Sequence, residues 1–450
     1  IEAKIVKDAD NLDIDIEMKE IEEQGHRLPA KWKKMRKFVR DKKLYTKSAK
    51  KLWDEIQKSD PASWHLAANK WKKIPSAGRR VWYSKFMLHP PFYDPTKSYY
   101  ENLEHGPYNG FADGVVLPQD GEPRFEFLGQ KINYPFGIPA GPLLNSSFMK
   151  AAFEKSFDVN VYKTVRSAEF PCHPFPNVLS VKVEGDLTLE KAKKPLIANA
   201  DYTEPLSVTN SFGVPSRPLT EWQKDAKAAA TSAGEGQVMI MGFMGTVRQV
   251  QTEAELADDF AKAGELAVQT DAKVLEVNLS CPNIGDEGLV CYDFDMTEKV
   301  LAAIRARIGK VPLIVKVGYY PPARAGKDDA DMERLADIIE KYAQAIQGIN
   351  TISAEIVDEK GNQAIPGEQR KRSGVCGRAI KWAGLDFVRR AHAIREKRGA
   401  HFAIMGVGGV MNPKDFKEYR EAGADIVMSA TGAMWNPYLA KEIKEAYPNA

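Results

Sequence analysis

Cysteine is scarce in this 450-residue chain, which holds four: Cys172, Cys281, Cys291 and Cys376. No two of them form a CxxC pair, which argues against a zinc site or an iron–sulfur cluster held by this chain, and no metal is expected. So few thiols in so long a chain also argue against a disulfide framework. A reducing compartment is expected: cytoplasmic, with mitochondrial as the alternative. No apolar run approaches the roughly 18 residues that a membrane-crossing helix needs. No nicotinamide fingerprint is present. No secretory signal is visible, and Ile1 in place of Met is what a processed or trimmed product would show. What is there is ample apolar material: 43% hydrophobic residues, enough for one large domain with an extension.

The formal net charge of +3 conceals an uneven layout. Residues 1–26 carry nine acids and three bases, whereas residues 27–85 carry 19 Lys/Arg against four Asp/Glu. Trp32, Trp53, Trp64, Trp71 and Trp82 all fall in the basic stretch. Short helices are expected there, with Pro29, Pro61 and Pro75 where helices could begin. The composition suits an acidic protein partner, an anionic membrane surface or nucleic acid met through residues 27–90. Tryptophans that merely pack these helices are the plainer account. Residues 89–125 are rich in Pro, Gly, Tyr and Asp and read as a connector. The expected division is 1–112 as a helical, basic, Trp-rich extension and connector, and 113–450 as the main domain.

From about residue 126 apolar runs alternate with amphipathic stretches. Strands are expected at 136–139, 160–164, 237–243, 273–278, 311–316, 347–352, 402–405 and 425–429. Helices are expected between them, among them 252–269, 295–308, 329–346, 381–397 and 413–421. Eight βα repeats predict an α/β fold, a (β/α)8 TIM barrel. The alternation Val178-Leu179-Ser180-Val181-Lys182-Val183 predicts a small β-hairpin inserted within 177–210. The polar stretch 355–373 reads as a loop above the barrel.

Chemistry concentrates where strands end. Asn278-Leu279-Ser280-Cys281-Pro282-Asn283 places two amides, a hydroxyl and a thiol at the end of the fourth strand. There a thiol can take a proton and amides can hold the edge of a planar polar ring. A lone cysteine is more often a small buried hydrophobe. Cys281, however, lies past the apolar part of the strand, ahead of a Gly285-Asp286-Glu287-Gly288 loop that could close over a substrate. Cys172, Cys291 and Cys376 read as structural. Gly406-Val407-Gly408-Gly409 and Ser429-Ala430-Thr431-Gly432 end the seventh and eighth strands, where barrel enzymes often hold a phosphate. Gly374 and Gly377 mark a third small-residue loop. Lys163 and Lys316 end the second and fifth strands; a lone lysine there is usually solvated, but two at the rim opposite phosphate loops could stabilise negative charge that develops on a bound group. Asn210 opens a loop, through Phe212, Gly213 and Val214, whose amides could grip an anion or simply close a turn. Asn350-Thr351 closes the sixth strand, as a helix cap or as a binding pair.

Over about 132–447 these residues together resemble the dihydroorotate dehydrogenases, particularly the cysteine-based class 1 branch. The most specific motif is Asn278-Leu-Ser-Cys-Pro-Asn; the quinone-using branch has serine where Cys281 stands. Tyr162-Lys163-Thr164 is similar to the family's lysine strand, and Asn210-Ser-Phe-Gly-Val-Pro to its substrate-carboxylate loop. The resemblance implies FMN over the barrel mouth and oxidation of dihydroorotate to orotate, a step of pyrimidine biosynthesis. Cys281 would remove the C5 proton while C6 gives hydride to flavin N5. It implies Lys163, Asn210, Phe212, Gly213, Val214, Asn278, Asn283, Asn350 and Thr351 around the substrate. Ala140, Gly141, Lys163, Thr164, Asn278, Lys316, Gly374, Gly377, Gly408, Gly409, Ala430 and Thr431 would surround the cofactor. A homodimer is also implied. Ala430 and Ser373 replace usual glycines, and Pro139-Ala140-Gly141-Pro142 alters the first flavin loop. Asn350-Thr-Ile-Ser also looks like the matching segment of dihydropyrimidine dehydrogenases, which act on uracil or thymine; the Asn210 loop favours a carboxylate-bearing ring. A third reading is a barrel recruited as an assembly subunit through its N-terminal arm.

Overall fold

The computed structural model describes residues 7–9, 11–12, 14–16, 28–58, 88–119, 121–248, 250–280, 289–322, 329–368 and 370–449. The chain divides into two compact units, Ile1–Lys85 and Phe86–Ala450.

In the first unit the helices Leu28–Lys42 and Lys47–Lys58 pair around a small core of Leu12, Leu44, Ala49 and Ile56. Two guanidinium–carboxylate pairs tie it together, Arg36 with Asp15 and Arg40 with Asp54. Trp53 packs at the edge of this core. Trp64, Trp71 and Trp82, with the helix starts expected at Pro61 and Pro75, lie outside the described residues.

The second unit is a closed barrel of eight parallel strands among its described residues. In chain order they are Phe136–Ile138, Val159–Val165, Val238–Phe243, Val274–Asn278, Leu313–Lys316, Ala345–Gly348, Ala403–Val407 and Ile426–Met428. Each pairs with the next and the eighth pairs with the first, as a (β/α)8 barrel requires. Inward residues alternate with outward ones. Val274 lies in the barrel interior and Leu275 faces the helices, and Ile314 and Val315 divide the same way. Phe127 and Ile132, from the hairpin Phe125–Phe127/Gln130–Ile132, join the interior cluster. The helices Glu253–Val268, Phe294–Ile308, Ala330–Tyr342, Lys381–Arg398 and Pro413–Glu421 start and stop close to the expected positions. Among the described residues no helix is long and apolar enough to cross a membrane.

Three expectations need correction. The inserted hairpin is part of a larger device: Val178–Val181, Leu196–Asn199, Ser207–Asn210, Ile352–Val357 and Arg372–Gly377 form a second, closed five-stranded sheet. The polar stretch 355–373 is therefore flanked by two paired strands. The alternation Ile352-Ser353-Ala354-Glu355-Ile356, with its apolar members buried, is a strand pattern that the charged turn obscures. The expected strand 347–352 is split accordingly: Gly348 ends the barrel strand and Ile352 starts the sheet above it. Finally, the connector placed with the extension belongs by its packing to the second unit. Phe92, Tyr93, Tyr99 and Phe111 are buried in its main core, with Phe92 stacked 4.0 Å from Phe111.

Candidate active site

Two adjoining cavities open at the C-terminal ends of the barrel strands, beneath the second sheet. The larger measures about 890 Å³ including its mouth. Ala140, Gly141, Asn210, Lys316, Asn350 and Thr351 line both.

At one end are the turns after the seventh and eighth strands, Gly408-Gly409-Val410 and Ala430-Thr431-Gly432, all lining the larger cavity. Their six N–H groups meet no acceptor among the described residues. Two runs of unbonded donors on one wall suit an anion such as phosphate. Gly409 has φ +68°, and a Cβ there would lie 2.7 Å from Lys381 Cβ and 2.8 Å from the Gly377 carbonyl oxygen. Only glycine fits this turn. Gly377 lines the same cavity. Gly374 lines neither; it packs against Thr351, whose Oγ1 would sit 2.5 Å from an added Cβ.

Lys316 occupies the middle. It is 3% exposed, and its ammonium makes no hydrogen bond among the described residues. In the barrel interior, Glu276 and Gln347 are wholly buried, with Gln347 Nε2 donating to Glu276 Oε2 at 2.7 Å. Glu276 Oε1 and Gln347 Oε1 have no partner among the described residues. Burial raises the pKa of Glu276, opposed by the charge of Lys316 and the Gln347 hydrogen bond. The reading of the sequence missed this pair, although an acid inside the run Val274-Leu275-Glu276-Val277 was a usable signal.

The other end holds the amides. Lys163, Thr164, Asn278, Phe212 and Val214 line the smaller cavity. Asn278 Oδ1 accepts from the Ser280 N–H at 3.0 Å, and Asn350 Nδ2 donates to the Ser280 carbonyl. The chain leaving the fourth strand is thus held against the sixth. The next residue is Cys281; it and Asn283 lie outside the described residues. Asn210 Nδ2 and Thr431 Oγ1 approach Cys376 Sγ at 3.7 and 3.5 Å, so Cys376 lines the larger cavity and burial raises its pKa. Cys291 is fully buried, and burial pushes its pKa up to about 11.

The loop Asn210–Pro215 is the most constrained segment. Its six carbonyls all accept hydrogen bonds: Asn210 from Ser373 Oγ, Ser211 from Arg370 and Asn177, Phe212 from the His173 N–H, Gly213 and Val214 from Arg166, and Pro215 from Lys163. Among the described residues, the N–H groups of Phe212, Gly213 and Val214 make none. Gly213 (φ +75°) lies flush on the His173 ring, behind the cavity wall. Val214 has φ +51°, which for a β-branched residue costs about 1–3 kcal/mol and recurs at ligand clamps. Ser373, a departure from the usual glycine, thus has a task in anchoring Asn210. Arg166, Arg370 and His173 escaped the sequence reading. They act on backbone carbonyls distant in sequence, and no spacing announces that.

Fold and site together define a (β/α)8 barrel with two adjoining cavities at its mouth, one walled by turn amides and the other lined by side-chain amides. The dihydroorotate dehydrogenase family profile matches residues 192–449. A dihydroorotate dehydrogenase of Dictyostelium discoideum is 37% identical over 369 residues, spanning 79% of this chain and 97% of that protein. The catalytic subunit of dihydroorotate dehydrogenase B (NAD(+)) of Trichlorobacter lovleyi is 31% identical over 42% of this chain and 58% of its own length. A crystal structure of the Eimeria tenella dihydroorotate dehydrogenase with ferulenol superposes with a TM-score of 0.53 at 16% identity. It covers 74% of this chain and 87% of that one, and so shares the fold. The chain belongs to the dihydroorotate dehydrogenase family, whose members are flavin-dependent oxidoreductases.

Proposed function

We propose that this protein oxidises dihydroorotate to orotate with FMN as its cofactor. The observation that carries the reading is the meeting, in one pair of cavities, of six turn amides without an acceptor among the described residues, a buried lysine, the side-chain amides of Asn210, Asn278 and Asn350, and the clamped loop whose Phe212 and Val214 line the wall. These residues fit FMN. The turn amides of Gly408–Val410 and Ala430–Gly432 are a donor set for its phosphate. Nothing lies within 4 Å of a Cβ built on Gly141, which leaves room for a flat ring. When bound, FMN supplies the hydride acceptor.

The chain's own groups do the rest. Lys316, which lines both cavities, would offer its ammonium to negative charge on a flavin ring bound there. Asn278 and Asn350 orient the pyrimidine edge and hold Ser280, and with it the start of the Cys281 loop. Cys281 takes the C5 proton, which the neighbouring carbonyl acidifies. The amides of Phe212, Gly213 and Val214 receive the carboxylate, and this favours dihydroorotate over dihydrouracil, which has none. The purified protein is expected to be yellow, and to bleach anaerobically with dihydroorotate but not with dihydrouracil. Cys281→Ala is expected to keep flavin and lose turnover by about a thousandfold; undiminished turnover would remove the proposed base.

A further inference from the structure

We propose that Arg166 and Arg370 are positioning residues that set the preference for a carboxylated pyrimidine by holding the Asn210–Pro215 loop with its amides turned to the substrate. The inference rests on the functional reading above and deepens it. Arg370 is 6% exposed and Arg166 2% exposed. Buried guanidiniums ordinarily sit beside carboxylates. Here the acceptors that Arg370 meets are neutral: Ser211 Oγ at 3.0 Å, the Ser211 carbonyl at 2.8 Å, the Pro174 carbonyl at 3.1 Å and the Pro366 carbonyl. Arg166 donates to the Gly213 carbonyl at 2.9 Å, the Val214 carbonyl at 3.1 Å and the Gly245 carbonyl at 3.3 Å, with its guanidinium 4.1 Å from the Phe170 ring centre.

The consequence follows from peptide geometry. In a planar trans peptide the carbonyl and the next N–H point opposite ways. Fixing the carbonyls of Ser211 and Gly213, with that of Phe212 fixed by the His173 N–H, fixes where the amides of Phe212, Gly213 and Val214 point. Gly213 and Val214 stand in left-handed backbone, so the loop would relax without its ties. A carboxylate needs this donor run; the ring, held by Asn278 and Asn350, does not. The two arginines thus act on substrate affinity through the loop and leave the reacting atoms to other groups.

The test uses the full-length, flavin-loaded protein and orotate as probe, with Kd from titration calorimetry, flavin content, and kcat and KM for dihydroorotate. Arg370→Met and Arg370→Lys are each expected to weaken orotate binding about ten- to hundredfold. KM should rise in step, with kcat within about threefold and flavin content unchanged. Lysine keeps the charge but not the fork that reaches Ser211 twice. Lys variants that bind orotate like the parent would show that charge alone matters and would overturn the proposal. Orotate affinity unchanged in both variants overturns it too, as does a fall of kcat in proportion to lost flavin, which marks a merely structural role. If Arg370→Met does not fold, Arg370→Lys and Arg166→Lys decide by the same criteria. A parent protein that neither binds orotate nor is reduced by dihydroorotate refutes the functional reading itself, a result distinct from any of these.

Discussion

At one end of the cavity six amides come from turns that the barrel strands themselves make; at the other, three amides come from a loop carried by the second sheet and tied down by Ser373, Arg370, Asn177, Arg166 and Lys163. The first end depends on the absence of side chains. Gly409 has no room for a Cβ, and its turn follows a strand whose register the barrel fixes. The second depends on side chains that reach in from three segments, 163–166, 177 and 370–373. A site assembled this way separates its tasks. The end suited to a permanent cofactor is as rigid as the barrel, and the end suited to a passing substrate can be tuned without disturbing the barrel core.

The sharpest way to break this comparison is Gly409→Val. The left-handed backbone and the contacts to Lys381 and Gly377 should together cost roughly 2–5 kcal/mol. Flavin content should fall to near zero, and thermal melting with and without added FMN should show that the cofactor no longer stabilises the protein. If the variant retains flavin, the turn is not what holds its phosphate. Lys316→Met addresses the midpoint and should act on function and stability in opposite directions. A buried ammonium with no hydrogen bond among the described residues is costly to the fold. Without it Glu276, whose pKa burial already raises, simply takes up a proton. The flavin-stripped variant should melt a few degrees higher, about 1–2 kcal/mol more stable. Its flavin, once reloaded, should be reduced by dihydroorotate about a hundredfold more slowly in stopped-flow traces. A lower melting temperature in the stripped protein would mean that Lys316 is structural.

The barrel was legible because each strand is a short apolar run whose partner follows in order, and order is what a sequence displays. The turns at Gly408-Gly409 and Ala430-Thr431 were legible for the same reason, since they follow strands seven and eight directly. The second sheet was only half legible: Val178–Val181 alternates visibly, but Ile352–Val357 pairs with Arg372–Gly377 across a charged turn that reads as loop. Gly374 was placed at the cofactor by its neighbours in sequence, whereas its strand turns it toward Thr351. The ties on the Asn210–Pro215 loop were illegible in principle. Ser211 lies 159 residues from Arg370, and a backbone carbonyl leaves no trace in the sequence of what it accepts from. The same holds for Val214, since nothing about valine suggests a positive φ.

The mildest test concerns His173, which supports the substrate end from behind. Burial, and then the nearby cations Arg370 and Arg166, lower its pKa to about 4. Its Nδ1 is buried without a partner among the described residues, and its ring fills the space a side chain at Gly213 would need. In the unfolded chain this imidazole titrates near its ordinary value of about 6.5. Between about pH 6.5 and pH 4 the unfolded state therefore binds a proton that the folded state refuses, so stability falls as the pH drops through that window and levels off below it. His173→Gln removes this titration while keeping a polar side chain against Gly213. Its melting temperature should depend less steeply on pH between 6.5 and 4 than that of the parent, while the two curves run parallel above pH 7. Among the described residues no histidine lines the cavity beside the Gly408–Val410 and Ala430–Gly432 turns, so flavin content should stay level across the same range in both proteins. If the parent loses flavin over that window, the two ends are not energetically separate, and the contrast between them fails at its weakest point.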